Sequence, residues 1–196
     1  MIHNFRKSLN HEREQTNFAD KFYREDLGVT EIKRFNTDSE DDMIMQRQDV
    51  DVLLTVKSIT YRVSEKFRDI DFGDLYIEVY SKYPKVEGWL HTGSPNAILY
   101  FTPKNVYWIT HKSLKDFCLN KLFPKIKSEW FDEILESGKT ITGKSIAIDE
   151  KNFKINLIQA HNQDGKEWKT MGLSVSFEIL ESFGVKFKRF ELTTTS

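Results

Sequence analysis

Asp49 and Asp51 flank Val50 at the head of an apolar run, Val50 to Val56. Glu65 and Lys66 lie near the end of a second extended run, Ile59 to Phe67, and Glu78 sits inside a third, Leu75 to Tyr80. Acids and a lysine are poor choices for the middle of strands that must pack. Carboxylate oxygens suit a hard divalent cation such as Mg²⁺ or Mn²⁺. Such a cation makes a bound water more acidic and stabilises charge developing on a phosphate, while a nearby lysine orients the water and neutralises the phosphate. The stretch from Gln46 to Ser81, QRQDVDVLLTVKSITYRVSEKFRDIDFGDLYIEVYS, is the part that the rest of the chain has to position.

Strand side chains alternate between faces. Asp49 and Asp51 are therefore expected to point the same way. Ser64, Lys66 and Arg68 share one face of the second run, and Tyr61, Val63, Glu65 and Phe67 share the other. Glu78 shares a face with Tyr76 and Tyr80. Polar faces of antiparallel sheets also carry Asp, Glu and Lys as ordinary solvated residues. Spacing alone leaves catalysis and a solvated hairpin both open.

Around this stretch, Phe18, Phe22 and Tyr23 recur at helical spacing and predict a helix over 12–26, stopped at Gly28. An edge strand is expected over 29–35 and an acidic loop over 37–42. The charged turn 68–74 joins the second and third runs. Pro84, Gly88, Gly93 and Pro95 mark 82–96 as loop. The aromatic runs 97–101 and 106–110 read as a hairpin. Helices are expected over 113–122 and 125–136, separated at Pro124. Strands then come at 141–148, 153–159, 172–179 and 185–190, with a turn at 161–166 and a helical turn at 180–183. The expected organisation is a loosely held segment 1–11, a core over 12–111, and a helical and β-rich extension over 112–196 packed on that core as one domain.

The 196 residues carry 29 Lys plus Arg against 30 Asp plus Glu, a formal net charge of −1, so any basic surface must be local. The single cysteine, Cys118, excludes an intramolecular disulfide and a cysteine-based zinc site. The N-terminal residues have no apolar signal-peptide core and no apolar run reaches spanning length, so a cytoplasmic protein without a membrane partner is expected. GKTITGKS, from Gly138 to Ser145, formally satisfies a phosphate-loop pattern. That chemistry needs a strand before the loop and a helix after it. Here a helical pattern comes first and a strand pattern second, so a turn with exposed lysines is expected. The five histidines have no metal-binding spacing, and no nucleophile elbow or dinucleotide fingerprint occurs.

The order of helix, strand, D-x-D strand, E-K strand and further strand resembles the PD-(D/E)XK nuclease superfamily over roughly residues 12 to 110. QRQDVDVLL and YRVSEKFR are similar to the metal-binding and lysine-bearing segments of small members, and DFGDLYIEVYS and GWLHTGSPNAILYF are similar to the next segments of those members. The resemblance implies an α/β restriction-endonuclease-like fold, a mixed central sheet flanked by helices, here with a β-rich C-terminal extension. It implies a nuclease dependent on Mg²⁺ or Mn²⁺ and acting on nucleic acid, with DNA the expected substrate. Asp51 matches the metal-binding aspartate and Lys66 the catalytic lysine. The acid expected two residues before that lysine is replaced by Ser64. Glu65, Asp49 or Glu78 is then the candidate replacement ligand. Strand parity argues against Glu65, and Glu78 is expected on the neighbouring strand. Gln48 and Arg68 are candidate nucleic-acid contacts, and Asp20 or Glu25 of the first helix could approach the site. The departure at Ser64 keeps open an inactive member of the fold that binds nucleic acid or protein.

Overall fold

The computed structural model describes residues 5–160 and 169–192, with side chains from residue 13 onward. The turn expected at 161–166 lies outside them. Helix α1 (Phe5–Glu25) ends before Gly28, whose φ of 64° is the left-handed geometry glycine adopts without a side-chain clash. Ala19, Phe22 and Tyr23 form its buried stripe. Strand β1 (Glu31–Arg34) comes next, then helix α2 (Glu40–Arg47), then strands β2 (Val52–Val56) and β3 (Ile59–Phe67). These three strands form an antiparallel meander.

Helix α2 replaces the second half of the loop expected over 37–42. The Ser39 hydroxyl accepts from the Asp42 amide at 3.3 Å, and the Asp42 carboxylate accepts from both the amide and the hydroxyl of Thr37. An acidic first turn, Glu40, Asp41 and Asp42, suits the positive end of a helix dipole. The run of charges that reads as solvated connector is thus a helix start.

Strand β4 (Asp74–Lys82) departs from the expected layout. It leaves the first sheet and does not neighbour β3. The chain passes through β4, the short strand β5 (Val86–Glu87) and the four-residue helix α3 (Trp89–Thr92) before returning as β6 (Ala97–Phe101). Strand β6 lies parallel to β3, which requires such a long crossover. Strand β7 (Asn105–Thr110) pairs with β6 and carries the edge strand β11 (Phe187–Glu191). The first sheet has the order β1-β2-β3-β6-β7-β11.

Between β7 and β11 come α4 (His111–Phe117), a π turn and a 3-10 turn up to Lys125, and α5 (Glu129–Ser137). Strands β8 (Ile141–Ile148), β9 (Lys151–Ala160) and β10 (Thr170–Ser176) and helix α6 (Phe177–Ser182) complete this part of the chain. The second sheet has the order β5-β4-β10-β9-β8. The division at residue 111 does not correspond to a division in space: β11 completes the first sheet, and β4 belongs to the second. The result is a mixed α/β fold with helices flanking the sheets. Gly143 and Lys144 lie inside β8, with helix before and strand after, so GKTITGKS forms no phosphate loop.

Two apolar clusters hold the layers together. One fills the space between the sheets with Leu75, Ile77 and Val79 of β4, Ile98 and Tyr100 of β6, and Leu173 and Val175 of β10. The other packs the buried stripe of α1 on the opposite face of the first sheet, against Val52, Leu54, Val63, Leu99 and Phe101. Each fully buried aliphatic or aromatic side chain contributes roughly 1.5–3 kcal/mol. Among the described residues, no helix is long and apolar enough to cross a membrane.

Candidate active site

The parallel register of β3 with β6 sorts the side chains of the YRVSEKFR strand. Ser64 lies opposite Ile98, and Lys66 lies opposite Tyr100, both on the face toward the second sheet. Glu65 lies opposite Leu99 on the face covered by α1. No bulge interrupts the pairing of β2 with β3, so parity holds along β3.

Glu65 is committed to a buried network on the α1 face. Arg34 Nη1 lies 2.6 Å from Glu65 Oε2, and Arg34 Nη2 lies 2.6 Å from Asp20 Oδ1. The Tyr23 hydroxyl also donates to Glu65. Burial opposes the charge on Arg34, but Glu65 and Asp20 more than offset it, and the guanidinium is held above its ordinary pKa. Burial first, and Glu65 second, push the Tyr23 phenol well up. This arrangement ties α1 to the sheet and occupies the oxygens that a metal would need. Asp20 belongs to the same network, while Glu25 makes an exposed contact with Lys21 at 3.9 Å.

On the other face, Lys66 Nζ meets Asp49 Oδ1 at 2.7 Å. Asp49 does not share a strand with Asp51. It comes after α2 in a left-handed conformation, φ 55°, which aspartate tolerates better than most side chains. That backbone turn, rather than strand alternation, aims its carboxylate at Lys66. Its second oxygen, Oδ2, is buried and has no hydrogen-bond partner. Asp51 accepts from the Glu65 amide at 2.7 Å and from the Ser64 hydroxyl at 3.3 Å. Ser64 also favours the charged form of Asp49, but the hydrogen bond its hydroxyl makes is to Asp51. A serine hydroxyl has one proton, so it serves one of these two carboxylates at a time.

Glu78 reaches the same cluster from β4, across the gap between the sheets. Burial raises the pKa of Glu78, against the opposing pull of Lys66 and of the nearby Trp89 backbone amide. Burial also raises Asp49, again against Lys66, and Asp51 adds to the rise. Helix α3 roofs the cluster. The Trp89 ring lies 5.4 Å from Lys66 Nζ. Glycines bracket this helix for a steric reason. A Cβ on Gly93 would stand 2.6 Å from the Trp89 carbonyl oxygen and 2.9 Å from Asp49 Cβ, and one on Gly88 would run into the Glu78 backbone carbonyl. Gly88→Ala should therefore destabilise the protein by roughly 1–3 kcal/mol, as overpacked sites do. Urea unfolding reads this, and an unchanged midpoint would mean that α3 is not docked on Glu78.

Gln48 accepts from Arg62, which also reaches Ser94 at 3.2 Å, so its side chain braces the loop after α3. Arg68 continues the Lys66 face and lies 5.4 Å from the Tyr76 ring. The structure thus gathers Asp49, Ser64 and Glu78 around Lys66 and keeps the Glu65 and Asp20 carboxylates away from that lysine, while Asp51 lies beside Ser64 and also lines a cleft with Arg34 and Glu65. Trp89, Gly88 and Gly93 complete the site. Two glycines bracketing WLHT were the sequence signal for them.

The raised carboxyls give a pH prediction. Unfolded Asp and Glu titrate at about 3.9 and 4.3. A group that holds its proton more tightly when folded stabilises the fold below the unfolded pKa, and that contribution is lost as pH rises through the folded value. In chelator, the part of the stability that these two carboxyls supply should therefore decline as pH rises from about 4. Asp42 and, against burial, Asp71 have pKa values lowered by hydrogen bonds and contribute in the opposite direction. Asp49→Asn with Glu78→Gln should remove the decline. Urea midpoints across the range check it, and an unaltered slope in the double variant contradicts it.

Two half-buried carboxylates that repel each other, one with a buried and unpartnered oxygen, are a donor set of the kind a hard cation takes. Among the described residues, no three carboxylate, imidazole or thiol groups form a cluster fit to hold a metal by themselves. Mg²⁺ is commonly held by one or two carboxylates with water and substrate phosphate filling the remaining places, so the residues present fit it. Comparison of the chain with protein-family models, with curated proteins and with solved structures finds no match.

Proposed function

We propose that this protein is a metal-dependent nuclease that hydrolyses phosphodiester bonds of nucleic acid, with DNA the expected substrate. The observation that carries this reading is the Asp49 carboxylate, with one oxygen on Lys66 and the other buried and unpartnered. A residue held in left-handed backbone beside a lysine, with an unmet acceptor, is the kind of local cost that functional sites retain. The resemblance to the PD-(D/E)XK superfamily supports the same reading. A helix, a strand, an aspartate-headed strand and a lysine-bearing strand occur in that order around the first sheet, with α2 inserted between the first two strands.

Asp49 and Glu78 would hold Mg²⁺ or Mn²⁺, with water and substrate phosphate in the remaining places. The bound ion would supply charge stabilisation and a more acidic water. The Lys66 ammonium neutralises the scissile phosphate and orients the attacking water. Arg68, two residues on, takes an adjacent phosphate. Trp89 restricts the swing of the Lys66 side chain and excludes bulk water from its inner side. Ser64, a neutral hydroxyl, keeps the two aspartates apart where a third carboxylate would repel them.

Incubation of plasmid, linear and single-stranded DNA with Mg²⁺ or Mn²⁺, beside a chelator control, tests the reading. Cleavage that the chelator stops is the expected result, and no cleavage of any substrate with either metal overturns it. The closed Lys66–Asp49 ion pair favours a second reading, a non-catalytic binding module on the same sheet. That reading predicts metal-independent binding of nucleic acid or protein and no cleavage.

A further inference from the structure

Arg68 follows the last residue of β3, two positions beyond Lys66, and stands next to one wall of a cleft. Its guanidinium lies 5.9 Å from the centroid of the Phe72 ring, which is 64% exposed. Phe72 forms one wall of a cleft of about 750 Å³, with Tyr107 and Phe187 of the first sheet and Glu178 and Glu181 of α6 as further walls. That volume is in the range of small-molecule sites.

The charges in the cleft are specific. Arg189 also lines it, its exposed guanidinium paired with Glu191 at 3.0 Å. Glu178 and Glu181 are exposed, and among the described residues neither carboxylate forms an ion pair with a lysine or arginine. A phosphate placed between them would be repelled. An aromatic ring with amino hydrogens would not. It stacks on Phe72 and donates its amino protons to a carboxylate, as cytosine and other amino-bearing bases do to glutamate. Arg68, at the entrance, is the group that meets the phosphate, which stays outside.

We propose that this cleft takes an unpaired nucleobase carrying an amino group, from a single-stranded substrate whose scissile phosphate lies at Lys66. The proposal rests on the nuclease reading above and adds to it a strand preference and a base preference. A base buried in a duplex does not present its ring face, so paired DNA is the poorer ligand.

Anisotropy of labelled oligo(dC), oligo(dA), oligo(dT) and a hairpin duplex, in chelator so that nothing is cut, is the test. Oligo(dC) and oligo(dA) should bind roughly tenfold more tightly than oligo(dT), which lacks the amino group. Phe72→Ala, at an exposed position that leaves the core intact, should weaken oligo(dC) binding roughly tenfold. Glu178→Gln with Glu181→Gln should erase the difference between oligo(dC) and oligo(dT). Equal binding of the three homopolymers, or unchanged binding by Phe72→Ala, overturns the proposal while metal-dependent cleavage leaves the nuclease reading standing. Absence of cleavage on every substrate with Mg²⁺ or Mn²⁺ overturns the reading beneath it. If an arginine-bearing peptide binds in a Phe72-dependent way and the oligonucleotides do not, the cleft is a cation site and the proposal falls.

Discussion

Lys66→Met should lower cleavage by on the order of 100- to 1,000-fold, the typical cost of removing one group that stabilises transition-state charge. Methionine keeps the length of the side chain and its packing under Trp89 but removes the charge. It also leaves the Asp49 carboxylate without its partner. The Lys66 and Asp49 side chains are 27% and 17% exposed, so solvent screens part of that loss. The stability cost should fall below the roughly 3–5 kcal/mol seen when a fully buried pair is broken. The two effects separate in a double-mutant cycle. Adding Asp49→Asn to Lys66→Met should recover most of the lost stability, because no charge is left unpaired, and should recover none of the cleavage. Wild-type cleavage by Lys66→Met would remove the lysine from the chemistry.

The second large effect is on stability alone. Arg34→Met leaves Asp20 and Glu65 facing each other with the Tyr23 hydroxyl between α1 and the sheet. The Arg34 and Glu65 side chains are 16% and 8% exposed, so little solvent reaches them. The loss should approach roughly 3–5 kcal/mol. For a chain of this length that lowers Tm by roughly 10 °C. Cleavage per folded molecule, assayed well below the transition, should stay near the wild-type value. Loss of cleavage with an unchanged Tm would instead place Arg34 and Glu65 in the site, and would revive Glu65 as a ligand.

These two variants probe opposite faces of the first sheet, through Lys66 on one side of β3 and the partner of Arg34, Glu65, on the other, and that opposition is what the sequence made legible. Alternation along YRVSEKFR assigns Ser64 and Lys66 to one face and Glu65 to the other, because a strand paired without a bulge leaves the side chains no choice. The same alternation fails for Asp49 and Asp51. Nothing in QRQDVD announces that Asp49 turns left-handed after a helix, and without that turn its carboxylate does not reach Lys66. The helix itself hides in TDSEDD, where Ser39 and Asp42 at capping distance were the available signal. Glu78 is recognisable as an acid in an apolar strand, but its route to Lys66 is not. Which strand pairs with β4 depends on β10, nearly a hundred residues later, and local pattern carries no such long-range pairing. Trp89 reads as a core aromatic until Gly88 and Gly93 are seen to bring α3 against Glu78 and Asp49.

The measurement closest to the central claim is a Mn²⁺ titration by calorimetry of four proteins: wild type, Asp49→Asn, Glu78→Gln and Glu65→Gln. Asp49 and Glu78 are the acids drawn together around Lys66, and Glu65 is spent on Arg34 and Tyr23. Wild type and Glu65→Gln should therefore bind Mn²⁺ alike, and Asp49→Asn and Glu78→Gln should each weaken binding by at least roughly tenfold, as loss of an anionic ligand to a hard cation does. Binding that survives Asp49→Asn and Glu78→Gln but disappears in Glu65→Gln would contradict the account and move the metal to the opposite face of the sheet.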